Sequence, residues 1–388
     1  MDSSLVEVFF LVFCGAAISA TLALYSRQPL LIAYVAMGVL LGPHALGLIG
    51  NSDEVPEMAH IGIIFLLFLL GLDMQPKALL AVLREATATA LISSAVFAAA
   101  GYVLGIAFGF DRSEALVLAM AAMFSSTIIG IKLLPTTVLH HRHSGEIMIG
   151  LLLIQDFLAI FCLLILAAAT DRIFDYRNLL SALLALPLLM LLAYAMVRFV
   201  ISKLIARFDR FHEYIFLLAI AWCLGLSALA QHVGLSLEIG AFCAGIALAT
   251  SPIAQYIALN LKPLRDFFLI LFFFSIGAQL DIALLPKYWL PALAFAIAML
   301  GLKPLVFYLL LRQQSERSSL AWDIGFRLGQ ISEFSILLAV LALQRNYIGE
   351  GLAVVIQTAT ILSFVVSSYL VVLYFPNPIA IRESLRRD

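Results

Sequence analysis

Charge is what this sequence has least of. Only 12% of its 388 residues are Asp, Glu, Lys or Arg, against roughly a quarter in soluble domains. A chain so poor in charge cannot cover a water-facing surface, so a soluble globular protein is excluded. Net charge is −1, with no basic surplus to attract nucleic acid. Cysteine is scarce too: Cys14, Cys162, Cys223 and Cys243 all lie in apolar runs, with no CxxC and no histidine at ligand spacing. They read as small buried hydrophobes, not as a redox or zinc centre. HExxH, GxSxG and a TVGYG-type filter are all missing, which removes the main motif-based grounds for an intramembrane enzyme or a potassium-channel pore. The apolar runs lack period-two alternation, which excludes a transmembrane barrel. Met1 to Ser4 carries no positive charge ahead of the first run, so a cleavable signal is not expected.

What fills the sequence instead is hydrophobic length. Apolar residues make up 63%, and mean hydropathy is +1.07. Bilayer-crossing helices need about 20 apolar residues each. Thirteen such spans are predicted, over 5–25, 29–49, 57–75, 86–109, 113–134, 145–169, 178–199, 213–231, 236–250, 265–281, 288–311, 319–344 and 350–374. The ninth and tenth are short enough to be interrupted or merged. Lysine and arginine concentrate on one side of this topology, for example at Arg27, Lys77, Lys203, Arg207, Arg210, Lys262 and Arg312. The opposite loops hold Arg112, Arg172, Arg177, Lys287 and Arg345. The positive-inside rule then puts the N-terminus outside and the C-terminus in the cytoplasm.

Against this apolar background, polar residues inside spans carry the information. An ionisable group near the bilayer centre costs at least about 2.5–3.5 kcal/mol on insertion scales, so it persists where it has a partner or a wet cavity. Asp156 lies near the middle of the sixth span, preceded by Gln155. It reads as a reversible proton or cation site, with a buried neutral acid as the plain alternative. Lys303 stands beside Pro304 in the eleventh span. Its expected partners are a carboxylate, the carbonyl that Pro304 frees, or the polar ends of broken helices. Ser125-Ser126-Thr127 with Gly130 and Lys132 marks an interruption in the fifth span, and Gly329-Gln330-Ile331-Ser332-Glu333 marks one in the twelfth. The fifth span is fifth of the first six, and the twelfth is fifth of the last six. One odd span, 178–199, separates the halves 5–169 and 213–374, which inverts the second half relative to the first. Matching broken helices in inverted repeats meet at a midplane ion site in secondary transporters. The fold expected is therefore an all-α polytopic membrane protein, one transport domain of two inverted six-helix repeats with crossed broken helices.

These residues also resemble a known family. Gly38 to Pro43 (GVLLGP), Ile63 to Asp73 (IIFLLFLLGLD), Ser125-Ser126-Thr127, Leu153-Ile154-Gln155-Asp156 and Leu328 to Phe334 (LGQISEF) look like the monovalent cation:proton antiporter-2 superfamily. The Gln-Asp pair is similar to Kef-type potassium:proton antiporters. The likeness runs from about Leu30 to Val371. It implies a sodium/proton antiporter-like fold of thirteen helices and a homodimer with a core that moves as an elevator. Asp156 would carry the ion or proton, with Gln155, Ser125, Ser126 and Thr127 around it. Lys303, Lys132, Gln330 and Glu333 would supply the supporting network. The sequence departs from the Kef pattern in three places. No GxGxxG-type fingerprint of a cytosolic nucleotide-binding domain follows the last span; a regulatory domain is thus possible as a partner but not present. The segment Gln255 to Lys262, where Kef proteins hold a loop with clustered acids, contains none. Lys132 stands where those proteins usually have glutamine.

The function expected is exchange of a monovalent cation for a proton in a bacterial-type inner membrane, potassium favoured, one for one and electroneutral. Sodium:proton exchange on the same fold and a cation channel are the alternatives. No cofactor and no metal beyond the transported K⁺ or Na⁺ is expected, and membrane lipid is the remaining partner. His140-His141-Arg142-His143 reads as a solvated loop, a poor chelator without further ligands. Glu238, near the start of the ninth span, reads as solvated or helix-starting. Asp73, Asp266 and Asp281 at span ends read as solvated or capping groups, and Phe272-Phe273-Phe274 as packing.

Overall fold

The computed structural model describes residues 5–26, 28, 30–49, 54–73, 76–132, 143–168, 176–208, 210–251 and 253–376. The regular secondary structure of the described residues is all helical, as backbone in a hydrocarbon environment requires, since a helix satisfies its own N–H and C=O groups. In chain order the helices are α1 (Leu5–Tyr25), α2 (Leu30–Leu41), α3 (Glu54–Asp73), α4 (Pro76–Ala107), α5 (Arg112–Ala122), α6 (Thr127–Lys132), α7 (His143–Ala168) and α8 (Tyr176–Met196). A π-turn at Val197–Ile201 leads into α9 (Ser202–Arg207). Then follow α10 (His212–His232), α11 (Leu237–Ala249), α12 (Ala254–Ala278), α13 (Leu285–Gln313), α14 (Ser318–Arg327), α15 (Glu333–Gln344) and α16 (Glu350–Tyr374).

Each of the thirteen spans read from the sequence contains a helix or an interrupted pair, but the second, expected over 29–49, is helical only over Leu30–Leu41 and continues as turns to Ile49. The fifth span is α5 plus α6, broken over Met123–Ser126, and the twelfth is α14 plus α15, broken over Leu328–Ser332. The ninth and tenth spans are each continuous. The tenth starts earlier than expected, at Ala254, because the helix runs through Pro263, so the segment Gln255 to Lys262 is helix and not loop. Among the described residues, seven helices are long and apolar enough to cross a bilayer by length and composition, and α2, α11 and α15 are shorter apolar helices.

Two compact units make up the chain, and neither follows the order of the sequence. One comprises residues 1–16, 37–79 and 164–278; the other comprises 17–36, 80–163 and 279–388. In the first, α3, α11 and α12 pack through glycine. A Cβ on Gly245 would stand 2.1 Å from the carbonyl oxygen of Phe68, and one on Gly71 would stand 2.5 Å from that of Phe242. One on Gly38 would meet the Phe274 carbonyl at 2.0 Å. Only bare backbone permits such approach, the small-residue packing that membranes favour. Phe13 and Phe267 stack at 4.9 Å, and Phe272-Phe273-Phe274 are buried, so that run is core. In the second unit, α13 packs against α14 and α16, and α15 lies between α16 and α5. Phe97 and Phe307 meet edge to face at 5.5 Å.

Candidate functional site

The second unit buries both helix breaks against each other. Each break leaves backbone groups that no longer bond within a helix, and inside a membrane those groups need partners. Hydroxyls supply them. Ser125 Oγ donates to the Leu328 carbonyl at 2.7 Å, joining break to break. Gln330 Nε2 donates to the Ser126 carbonyl at 3.2 Å, and Ser335 Oγ donates to the Ala121 carbonyl at 2.6 Å. The N–H of Ile331 donates to Ser363 Oγ at 3.0 Å, and Ser367 Oγ donates to Gln330 Oε1 at 3.0 Å. Ser126 Oγ accepts from the Ile129 N–H, capping α6. Ser332 Oγ accepts from the Phe334 N–H, capping α15 beside the buried Glu333.

Lys303 is fully buried and chooses one of the three kinds of partner expected from the sequence. Its ammonium donates to the carbonyls of Phe124 and Gln330, one in each break, and sits 5.3 Å from the centre of the Phe97 ring. The exposed carbonyl ends of broken helices carry partial negative charge, which a buried ammonium complements. The carbonyl freed by Pro304 is not its acceptor. No carboxylate lies within ion-pair range of it among the described residues.

Asp156 faces this region from α7, 1% exposed. Thr127 Oγ1 stands 3.3 Å from each carboxyl oxygen, long for an O–H···O bond. It is the only hydrogen-bond donor to Asp156 among the described residues. A buried carboxylate so thinly partnered is poorly satisfied unless a proton or cation completes it. Gln155, its neighbour, supports the first break: Gln155 Oε1 accepts the Ser125 N–H at 3.0 Å, while its Nε2 is buried without a partner among the described residues.

The structure therefore brings together Ser125, Ser126, Thr127, Gln155, Asp156, Lys303, Gln330 and Glu333. Lys132 closes α6, but its side chain lies outside the described residues, as does that of His143; His140, His141 and Arg142 are not described at all. Ser335, Ser363 and Ser367 join the network without having been singled out from the sequence; the only signal for the last two was a Thr360-Ser363-Ser367 stripe at helical spacing in α16. Glu238 corrects an expectation. It opens α11 as foreseen, but it is 8% exposed, and its carboxylate pairs with His60 Nε2 at 2.8 Å instead of facing water. Asp281 does cap the following turn, accepting the Ala283 N–H at 2.8 Å.

Two interrupted helices, stitched together around a buried lysine and a thinly partnered buried acid, make a membrane transporter and not an enzyme. The chain belongs to the sodium/hydrogen exchanger family: the transmembrane sodium/hydrogen exchanger description matches residues 8–375. It is 28% identical over 364 residues to the iron transporter MagA of Paramagnetospirillum magneticum, covering 92% of this chain and 82% of that protein. Its fold is similar to that of the sodium proton antiporter MjNhaP1 from Methanocaldococcus jannaschii at pH 8. The TM-score is 0.68 at 17% identity, over 94% of this chain and 96% of that one. The fold expected from the sequence, an all-helical sodium/proton antiporter-like membrane protein, is the fold observed, and the protein is a multi-pass integral membrane protein.

Proposed function

We propose that Asp156 binds a proton and a monovalent cation in turn, exchanging one for the other across the membrane. The observation that carries this reading is the burial of Asp156 with Thr127 as its only donor among the described residues, at 3.3 Å. Asp156 is neutral with H⁺ aboard and neutral with K⁺ or Na⁺ aboard. The bare carboxylate is neither, and desolvating it costs several kcal/mol. Only loaded forms cross, so exchange is obligatory without a separate gate. The anchoring of Lys303 on two backbone carbonyls supports a lysine that keeps its proton throughout, which makes the exchange one for one and electroneutral.

Potassium is the favoured cation, on the likeness of Gln155-Asp156 to the Kef-type pair. Sodium is the second reading, favoured by membership of the sodium/hydrogen exchanger family. The name of MagA brings iron into the comparison. A divalent ion asks for about six or more oxygen ligands, and Asp156 is contacted only by Thr127 among the described residues. Alternating access by movement of the unit that holds the breaks, a homodimer, an external N-terminus and a bacterial inner membrane complete the proposal.

The test is reconstitution in vesicles with an internal pH dye. After an imposed pH step, K⁺, Na⁺, Li⁺, Rb⁺ and Fe²⁺ are added in turn. Proton flux that depends on a monovalent cation, and that vanishes in Asp156→Asn, supports the reading; wild-type flux in Asp156→Asn ends it. Single-channel currents would favour the channel alternative.

A further inference from the structure

One buried charge in the second unit takes no part in the exchange cycle. Arg327 is the last residue of α14, and the second break begins at the next residue. Its side chain is 1% exposed. A guanidinium stays charged in any protein environment and needs several acceptors at once when buried. Asp323, one turn back, accepts from Arg327 Nε at 2.8 Å. A second acceptor comes from 49 residues on: the Pro376 carbonyl accepts from Arg327 at 2.6 Å. Pro376 lies just past the end of α16. Rings reinforce the same junction, with Tyr308 on Trp322 at 4.3 Å, Trp322 by Phe326 at 5.6 Å, and Phe326 by Phe375 at 5.5 Å.

From that junction the path to the site is short. The Leu328 carbonyl, directly after Arg327, accepts from Ser125 Oγ. The Ser125 N–H bonds Gln155, the residue next to Asp156. Two residues beyond Leu328, Gln330 holds the Ser126 carbonyl and accepts from Ser367 on α16. Sliding the end of α14 by a fraction of an ångström would therefore disturb the Ser125–Gln155 contact next to Asp156.

We infer that Arg327 is a positioning residue for ion exchange, which fixes the second helix break, and through it the Ser125–Gln155 contact beside Asp156, to the segment leaving α16 at Phe375-Pro376. A shift of the Phe375-Pro376 segment then changes cation affinity through the Arg327 guanidinium and the Phe326–Phe375 ring contact. The inference rests on the reading of Asp156 as the exchange site.

The experiment uses the full chain in vesicles, comparing cation-dependent proton flux of the wild type, Arg327→Gln, Arg327→Lys, Phe375→Ala and the Arg327→Gln/Phe375→Ala double variant. In Arg327→Gln the cation concentration for half-maximal exchange should rise about tenfold, within the range for residues acting through a packed network, while the maximal rate per folded protein stays within about twofold. Arg327→Lys, with charge but no fork, should fall between the two. Phe375→Ala, which loosens the same junction from its other side, should shift half-saturation in the same direction by less, and the double variant should be no worse than Arg327→Gln alone. Unchanged half-saturation in Arg327→Gln, with only yield or maximal rate reduced, overturns the inference, as do effects that multiply in the double variant. Should Arg327→Gln not fold, Phe375→Ala decides: a shifted half-saturation supports the inference and a wild-type value overturns it. A wild type with no cation-dependent flux overturns the exchange reading and this inference together, whereas a wild type that exchanges, with variants at wild-type half-saturation, overturns this inference alone.

Discussion

In the unit formed by residues 1–16, 37–79 and 164–278, the buried polar side chains among the described residues are Ser227, Glu238, Ser251 and Ser275. The other unit buries Ser125, Ser126, Gln155, Asp156, Lys303, Arg327, Gln330 and Glu333, with a serine and threonine stripe on α16 besides. The first holds its helices together mainly by bringing bare backbone into contact at glycine; the second has such contacts too, at Gly101, Gly105 and Gly325, and adds hydrogen bonds between side chains and interrupted backbone. In a bilayer the reasons differ. Lipid is as apolar as leucine, so dry helices gain little by hiding from it and must win through close packing. Broken helices must instead resupply every lost backbone bond from within the protein. A dry, glycine-packed unit suits a scaffold, and a polar-stitched unit suits an ion site.

The largest effect expected on this contrast comes from the dry side. Gly245→Leu would drive a side chain into the Phe68 carbonyl, 2.1 Å from where the new Cβ must sit. Backbone cannot yield as a flexible side chain does, so the loss should be about 3 kcal/mol or more. The folded peak on size-exclusion chromatography should nearly disappear. Gly225→Leu on α10, where a Cβ meets nothing within 4 Å, should elute as wild type. Equal behaviour of the two variants would break the claim that the first unit is held by backbone contact.

On the polar side the strongest single element is Lys303. Lys303→Met leaves the carbonyls of Phe124 and Gln330 without their donor, and each buried group left unpaired costs about 1–3 kcal/mol. The melting temperature in detergent should fall markedly. Any remaining exchange should stay insensitive to membrane potential. An unchanged melting temperature with exchange lost would move Lys303 from the framework into the ion cycle. A smaller effect is expected at Ser335, whose hydroxyl bonds the Ala121 carbonyl: Ser335→Ala should cost about 1 kcal/mol, read in the same melting assay, with exchange retained.

Much of this arrangement was legible beforehand because a bilayer makes apolar length and misplaced polarity conspicuous. Both breaks lie where Ser125-Ser126-Thr127 and Gly329 to Glu333 interrupt apolar runs, and Asp156 stood out as a carboxylate at mid-span. What the sequence could not supply was the pairing. Lys303 beside Pro304 suggested a local carbonyl among its partners, yet its acceptors lie 179 and 27 residues away. Gln155 was read as part of the ion site, and nothing in the sequence showed that its oxygen also accepts the Ser125 N–H. Pro263 and the charged residues around it hid the first turns of α12, since proline lowers helix propensity without forbidding a helix that neighbours support. The interleaving of the two units depends wholly on contacts distant in sequence, which periodicity does not record.

The smallest effect sharpens the comparison most. His60–Glu238 is a charged tie within the dry unit, joining α3 to α11 at 2.8 Å. The His60 side chain is 46% exposed and that of Glu238 only 10%; water screens the imidazole end of the pair, and a glutamine at 60 keeps an N–H donor for the buried carboxylate. His60→Gln should therefore lower the melting temperature barely at all, and added salt should shift wild type and variant alike. Stability here is predicted to come from Gly71 and Gly245 a few turns away, not from the ion pair. If His60→Gln instead destabilised the protein as much as Lys303→Met, the first unit would depend on a polar contact after all. The distinction between a packed scaffold and a stitched site would then be one of residue count and not of mechanism.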